Sequence, residues 1–216
     1  MTDRSNPSNR RQWGTISAHL LGMVPLILLG WQFWLGNLGF NPVEAVLRWT
    51  GRLAVLMLLL SLACTPIQWV FNRPAIRKLR KPLGLYAALY AFLHFLVFAA
   101  WDYQLNWAQI VFEIRNKPFI LLGLIGLVIL LILALTSFRF WRRKLGKKWV
   151  WLNRSVYAAA LLIMLHYLLA VKGDLMSLQG DYTLPLIATG LLLLLLILRI
   201  PAVYQWLSRW FKKKIE

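Results

Sequence analysis

Carboxylates are scarce in this chain: seven Asp and Glu stand against 25 Lys and Arg among 216 residues. None of the seven lies deep in an apolar run, which excludes a proton relay of membrane-buried acids. A single cysteine, Cys64, excludes a disulfide framework within one chain. There is no Gly-x-Gly-x-x-Gly fingerprint, no Walker loop and no His-Glu-x-x-His, so the chain has no motif for oxidising a nicotinamide, splitting a nucleotide or activating zinc-bound water. No pair of interrupted, oppositely oriented repeats marks a secondary transporter.

What the chain does have is hydrocarbon. Apolar residues make up 60% of it, with 12 Trp, above the roughly half of an ordinary soluble domain. The charges are segregated, leaving windows at about 14–35, 46–71, 83–101, 118–138, 150–171 and 183–206, each near the about 20 residues that a helix needs to cross a hydrocarbon core. Runs such as Leu191 to Ile197 do not alternate, so the spans are helices rather than barrel strands. The first window follows Arg10 and Arg11 but is longer than a secretory signal core and has no Ala-x-Ala-like site after it. The expected fold is therefore all-α: a membrane bundle of six transmembrane helices over 13–207, with tails at 1–12 and 208–216.

The net charge of +18 would suggest nucleic acid in a soluble protein, so its placement decides its meaning. With the N-terminus inside, Arg10 and Arg11, the cluster from Arg73 to Lys81, the cluster from Arg139 to Arg154, and Arg199 to Lys214 all fall on the cytoplasmic side. The other side keeps Arg48, Arg52, Arg115, Lys117 and Lys172, together with Glu44, Asp102, Glu113, Asp174 and Asp181. This is the positive-inside pattern; it puts both termini on the cytoplasmic side, and attraction to anionic lipid accounts for the rest. Nucleic acid is not an expected partner. The outer segments, about 36–45, 102–117 and 172–182, read as short loops, and Trp31, Trp34, Trp101, Trp107, Trp149 and Trp151 read as interfacial belts.

Ionisable residues inside spans are costly, which singles out three histidines. His94 lies about 12 Å before Asp102 and His166 about 9 Å before Lys172 at helical rise, so both sit in the outer halves of parallel helices. Two imidazoles at one depth suit a six-coordinate, non-covalent haem, there being no Cys-x-x-Cys-His attachment site. On the residues alone, each could equally hydrogen-bond a neighbouring helix and do nothing more. His19 lies near the inner interface, where a histidine is inexpensive.

In chain order, His19-Leu20 with Pro25, Asn41-Pro42-Val43, Thr50-Gly51-Arg52, Thr65-Pro66, Leu83-Gly84-Leu85, Leu93-His94, Lys117-Pro118-Phe119, Leu135-Thr136-Ser137, Leu145-Gly146-Lys147-Lys148-Trp149, Val156-Tyr157 and Leu165-His166-Tyr167 resemble the MsrQ (formerly YedZ) family. These are haem-binding membrane subunits of the bacterial methionine sulfoxide reductase system, within the ferric-reductase-like transmembrane group. The resemblance covers nearly the whole chain. It implies that His94 and His166 ligate a haem b, with electrons drawn from the quinone pool or through a flavin (FMN) and passed to a periplasmic molybdenum-cofactor reductase that acts on oxidised methionine.

It further implies that chemistry on the final substrate occurs in the partner. Arg48 and Arg52 stand where they could hold outer propionates, and His19 and Arg154, with Arg80, Lys81, Arg142 and Arg143, could serve an inner cofactor. The chain departs from the family pattern at Leu152-Asn153-Arg154, where the family shows Leu-His-Arg. An amide is no substitute for imidazole, so an inner haem does not carry over at Asn153. The rival readings are a stand-alone haem oxidoreductase of the same superfamily and a haem-free transporter or scaffold with structural histidines.

Overall fold

In a computed structural model, residues 7–71, 73–171, 180–203 and 205 are described, with side chains from Ile16 onward. The expectations for 1–6, for Lys172 and Asp174 in the third outer segment, and for the basic tail at 208–216 lie outside the described residues. Every regular element among the described residues is helical: α1 Pro7–Trp34, α2 Pro42–Phe71, α3 Arg80–Leu96, α4 Trp107–Asn116, α5 Pro118–Leu135, α6 Arg139–Leu145, α7 Lys147–Arg154, α8 Val156–Leu169 and α9 Thr183–Ile197.

Local chemistry sets the boundaries. The Asn41 carboxamide accepts from the Glu44 amide at 3.2 Å, and Pro42 fills the first position of α2, where its missing N–H costs nothing. Asn106 caps α4 through the Gln109 amide in the same way. Pro118 starts α5. The last turns of α3 widen into a π-helical segment, Val97–Asp102. Gln104 and Leu105 then take φ of 48° and 59°, turning the chain sharply into α4.

Five described helical stretches are long and apolar enough to cross a membrane: Ile16–Trp34, Pro42–Phe71, Ile76–Asp102, Pro118–Leu135 and Lys147–Leu169. The sixth window is not one continuous helix among the described residues. Thr183–Ile197 is an apolar helix interrupted by a turn at 198–200, and helix resumes at Pro201, a residue suited to a first helical position. Two further expectations are corrected. The outer segment 102–117 is not a loop, since it contains α4. The fifth window is not one straight helix: α7 and α8 meet at Ser155, whose hydroxyl donates back to the Leu152 carbonyl at 2.7 Å.

The core forms around α2, which packs most extensively on α3, while α5 packs on α8 and α3 links the two pairs. Met57, Leu58, Leu62, Tyr90, Met164 and Leu192 are fully buried there. Ala87, Ala88, Ala159 and Ala160 are buried beside them; small residues let membrane helices approach where lipid offers no hydrophobic drive to associate. Large apolar side chains such as Leu20, Ile27, Val128 and Leu193 remain exposed, as expected of a surface facing acyl chains. α1 is held to α3 by the Tyr90 hydroxyl, which donates to the Gly22 carbonyl at 2.6 Å. Arg199 ties the end of α9 to the bundle, donating to the Tyr157 hydroxyl and the Leu62 carbonyl.

Candidate functional site

α3 and α8 bring His94 and His166 together: the ring centres are 6.2 Å apart and the ring planes stand 78° to each other. Each imidazole is oriented by a backbone carbonyl on the neighbouring helix. His94 Nδ1 lies 2.9 Å from the Leu47 oxygen on α2, and His166 Nδ1 lies 2.8 Å from the Phe119 oxygen on α5. A carbonyl can only accept, so Nδ1 carries the proton in both rings and Nε2 is left with its lone pair free for a ligand bond. Metal-binding histidines are commonly held this way, with the second nitrogen donating to a fixed acceptor. The Phe119 ring also stands against His166, centroids 5.9 Å apart.

The other residues singled out from the sequence do not join this pair. His19 is exposed on α1 and pairs through Nδ1 with the Tyr86 hydroxyl at 2.9 Å. Arg48 is exposed and forms an ion pair with Glu44 one turn earlier on its own helix. Arg52 is 42% exposed at its side chain and lies 3.8 Å from Asp181, just before α9. Arg154 is exposed and lies over the Trp151 ring. Lys81 donates to the Ser137 carbonyl at 3.0 Å, and Arg142 stacks over Trp149.

Sequence reasoning missed the two acceptor carbonyls, because a backbone group has no residue type to betray it. The signal that was available is a shared spacing: histidine and acceptor are 47 residues apart in both cases. It also missed the end of the bundle away from the pair. There Thr65 Oγ1, Gln68 Oε1, Ser137 Oγ and Arg199 Nε are buried with no hydrogen-bond partner among the described residues. In α4, Glu113 sits 2.6 Å from Lys117, and this hydrogen bond holds the ammonium above its usual pKa.

Comparison with known proteins gives two matches. The family model described as ferric reductase like transmembrane component matches residues 48–164, a stretch that includes His94 and stops just short of His166. A protein of Rhodospirillum rubrum named protein-methionine-sulfoxide reductase heme-binding subunit MsrQ is 40% identical over 207 residues, covering 94% of this chain and 95% of that protein.

Proposed function

The chain belongs to the MsrQ family of the ferric-reductase-like transmembrane group, and on that premise we propose that it is the haem-binding, electron-carrying membrane subunit of a methionine sulfoxide reductase system. Electrons enter on the cytoplasmic side from the quinone pool or a flavin and leave on the periplasmic side to a molybdenum-dependent reductase. The chain crosses the inner membrane six times with both termini inside, α9 and the residues beyond it forming the sixth crossing.

The observation that carries this reading is the His94–His166 pair. An imidazole nitrogen binds a first-row metal at about 2 Å and its ring centre lies about 1 Å further back, so two ligands opposed across one ion place ring centres about 6 Å apart. The 6.2 Å between the two ring centres agrees with that. Among the described residues no group of three or more His, Cys, Asp or Glu could hold a bare ion, and two nitrogen donors suit an iron whose other ligands come from a porphyrin. His94 and His166 would hold a haem b here, which would supply one-electron transfer.

The protein's share is orientation and environment. The Leu47 and Phe119 carbonyls fix each tautomer and strengthen each imidazole as a donor. Tyr90 and Met164, fully buried on the same two helices, help to keep water from the pair. Asn153 makes no claim on iron, and the pair alone accounts for one haem.

The test is spectroscopic and then functional. Purified protein, oxidised and then reduced with dithionite, gives a low-spin b-type spectrum, and the reduced form is reoxidised by the molybdenum partner only when methionine sulfoxide is present. A featureless spectrum at full protein yield ends the reading.

Arg52 offers a milder check. Its charge lies on the outer side near the His94 contact, so Arg52→Gln is expected to retain haem and lower the midpoint potential, because a removed cation no longer favours the added electron. The expected size is on the order of 1 kcal/mol, or about 40 mV for one electron. A potential equal to that of the wild type, measured by redox titration, removes Arg52 from the site.

A further inference from the structure

The two helix pairs that present the histidines are built alike. Leu47, Gly51 and His94 in α2 and α3 recur 72 residues later as Phe119, Gly123 and His166 in α5 and α8. In each set the histidine Nδ1 bonds the first residue's carbonyl. In each set the glycine one turn further along lies against the same imidazole edge: a Cβ on Gly51 would stand 3.1 Å from Nδ1 and Cε1 of His94, and one on Gly123 would stand 2.8 Å from Nδ1 of His166. The same offset carries Leu58 onto Leu130, Ala87 onto Ala159 and Ala88 onto Ala160, and all six of these residues are buried.

We propose that in each of these helix pairs a glycine and the carbonyl one turn before it form a seat that fixes its histidine's tautomer and ring plane. Gly51 with the Leu47 carbonyl seats His94; Gly123 with the Phe119 carbonyl seats His166. The glycine is required because the ring edge occupies the space a Cβ would fill. The seats act through the histidines, so Gly51 and Gly123 are positioning residues. The two seats are not equally tight: at 3.1 Å a neighbour must give slightly, whereas 2.8 Å is closer than Cβ atoms approach and the His166 ring has to move.

The arrangement also sets the 78° between the ring planes. Crossed imidazoles donate to different iron d orbitals and leave the two nearly degenerate, which gives a strongly anisotropic low-spin ferric EPR signal; rings turned towards parallel give a rhombic one. This consequence rests on the haem reading above, whereas the tautomer does not. The experiment therefore has two arms, both on full-length purified protein in detergent. Gly51→Ala and Gly123→Ala are compared with the wild type and with Gly190→Ala, a helical position where a Cβ meets nothing within 4 Å.

In the first arm, ¹⁵N NMR of histidine in the reduced, diamagnetic protein reads the tautomer. The wild type and Gly190→Ala give protonated Nδ1 for His94 and His166, Gly123→Ala loses that signal for His166 alone, and Gly51→Ala shifts that of His94 alone. In the second arm, Gly51→Ala retains haem with altered EPR anisotropy, and Gly123→Ala retains less than half of the wild-type haem. Wild-type tautomers and EPR in both glycine variants, or equal damage in Gly190→Ala, overturn the seats. A wild type with no haem signal but with both Nδ1 protons in place overturns the haem reading and leaves the seats standing.

Discussion

His166→Ala is expected to abolish the six-coordinate haem spectrum and reduce the haem-to-protein ratio to below about a tenth of the wild-type value, and His94→Ala is expected to do the same. Disturbing only the hydrogen-bonded support of a metal ligand costs about 10–100-fold in affinity, so loss of the ligand itself costs more. The third histidine, His19, is on α1 and engaged with Tyr86. Asn153, whose amide is a poor iron ligand, lies in α7, on the far side of the break at Ser155. Asn153→Ala should accordingly leave the spectrum unchanged. Absorption and pyridine haemochrome assay read all three variants, and six-coordinate spectra in both histidine variants would reject the assignment.

Tyr90→Ala is expected to cost about 2–3 kcal/mol of stability, less than the about 3–5 kcal/mol of an aromatic-to-alanine change in a water-soluble core. The reduction follows from the solvent: lipid is as apolar as the interior, so the transfer component shrinks and the cavity remains. Tyr90 is fully buried, and its hydroxyl holds the α1 backbone at Gly22. Tyr90→Phe keeps the packing and loses only that bond, for an expected cost of about 1 kcal/mol. Since His94 follows Tyr90 by one helical turn, Tyr90→Ala should also loosen the haem site. Unfolding in mixed micelles with increasing denaturing detergent separates the variants; equal midpoints for Tyr90→Phe and Tyr90→Ala would show that the ring's packing contributes nothing.

Much of this was legible in the residues. The apolar windows identified α1, α2, α3 and α5 closely, because a lipid-facing backbone must satisfy itself within a helix and the composition of such a segment is hard to disguise. Depth was legible too: counting rise from the charged ends placed His94 and His166 at one level, and in the structure their rings are 6.2 Å apart. Rotation about each helix axis was not legible. Helices covered in apolar side chains on every face do not show which face meets a neighbour, and so Leu47, Phe119, Gly51 and Gly123 carried no visible sign of their part. The helix α4 was missed because its Trp107, Val111 and Phe112 read equally well as an interfacial loop, and the break at Ser155 because a lone serine in a helix is usually tolerated.

By itself the sequence determined that this chain lives in a membrane and that its two central histidines share one level, since hydration and hydrocarbon thickness act on each segment separately. Only the tertiary structure decided that the two imidazoles turn towards each other, that His19 and Arg154 stand apart, and that a glycine and a carbonyl sit behind each ring. Those relations are made by contacts between helices far apart in the chain, and no property of a single helix contains them.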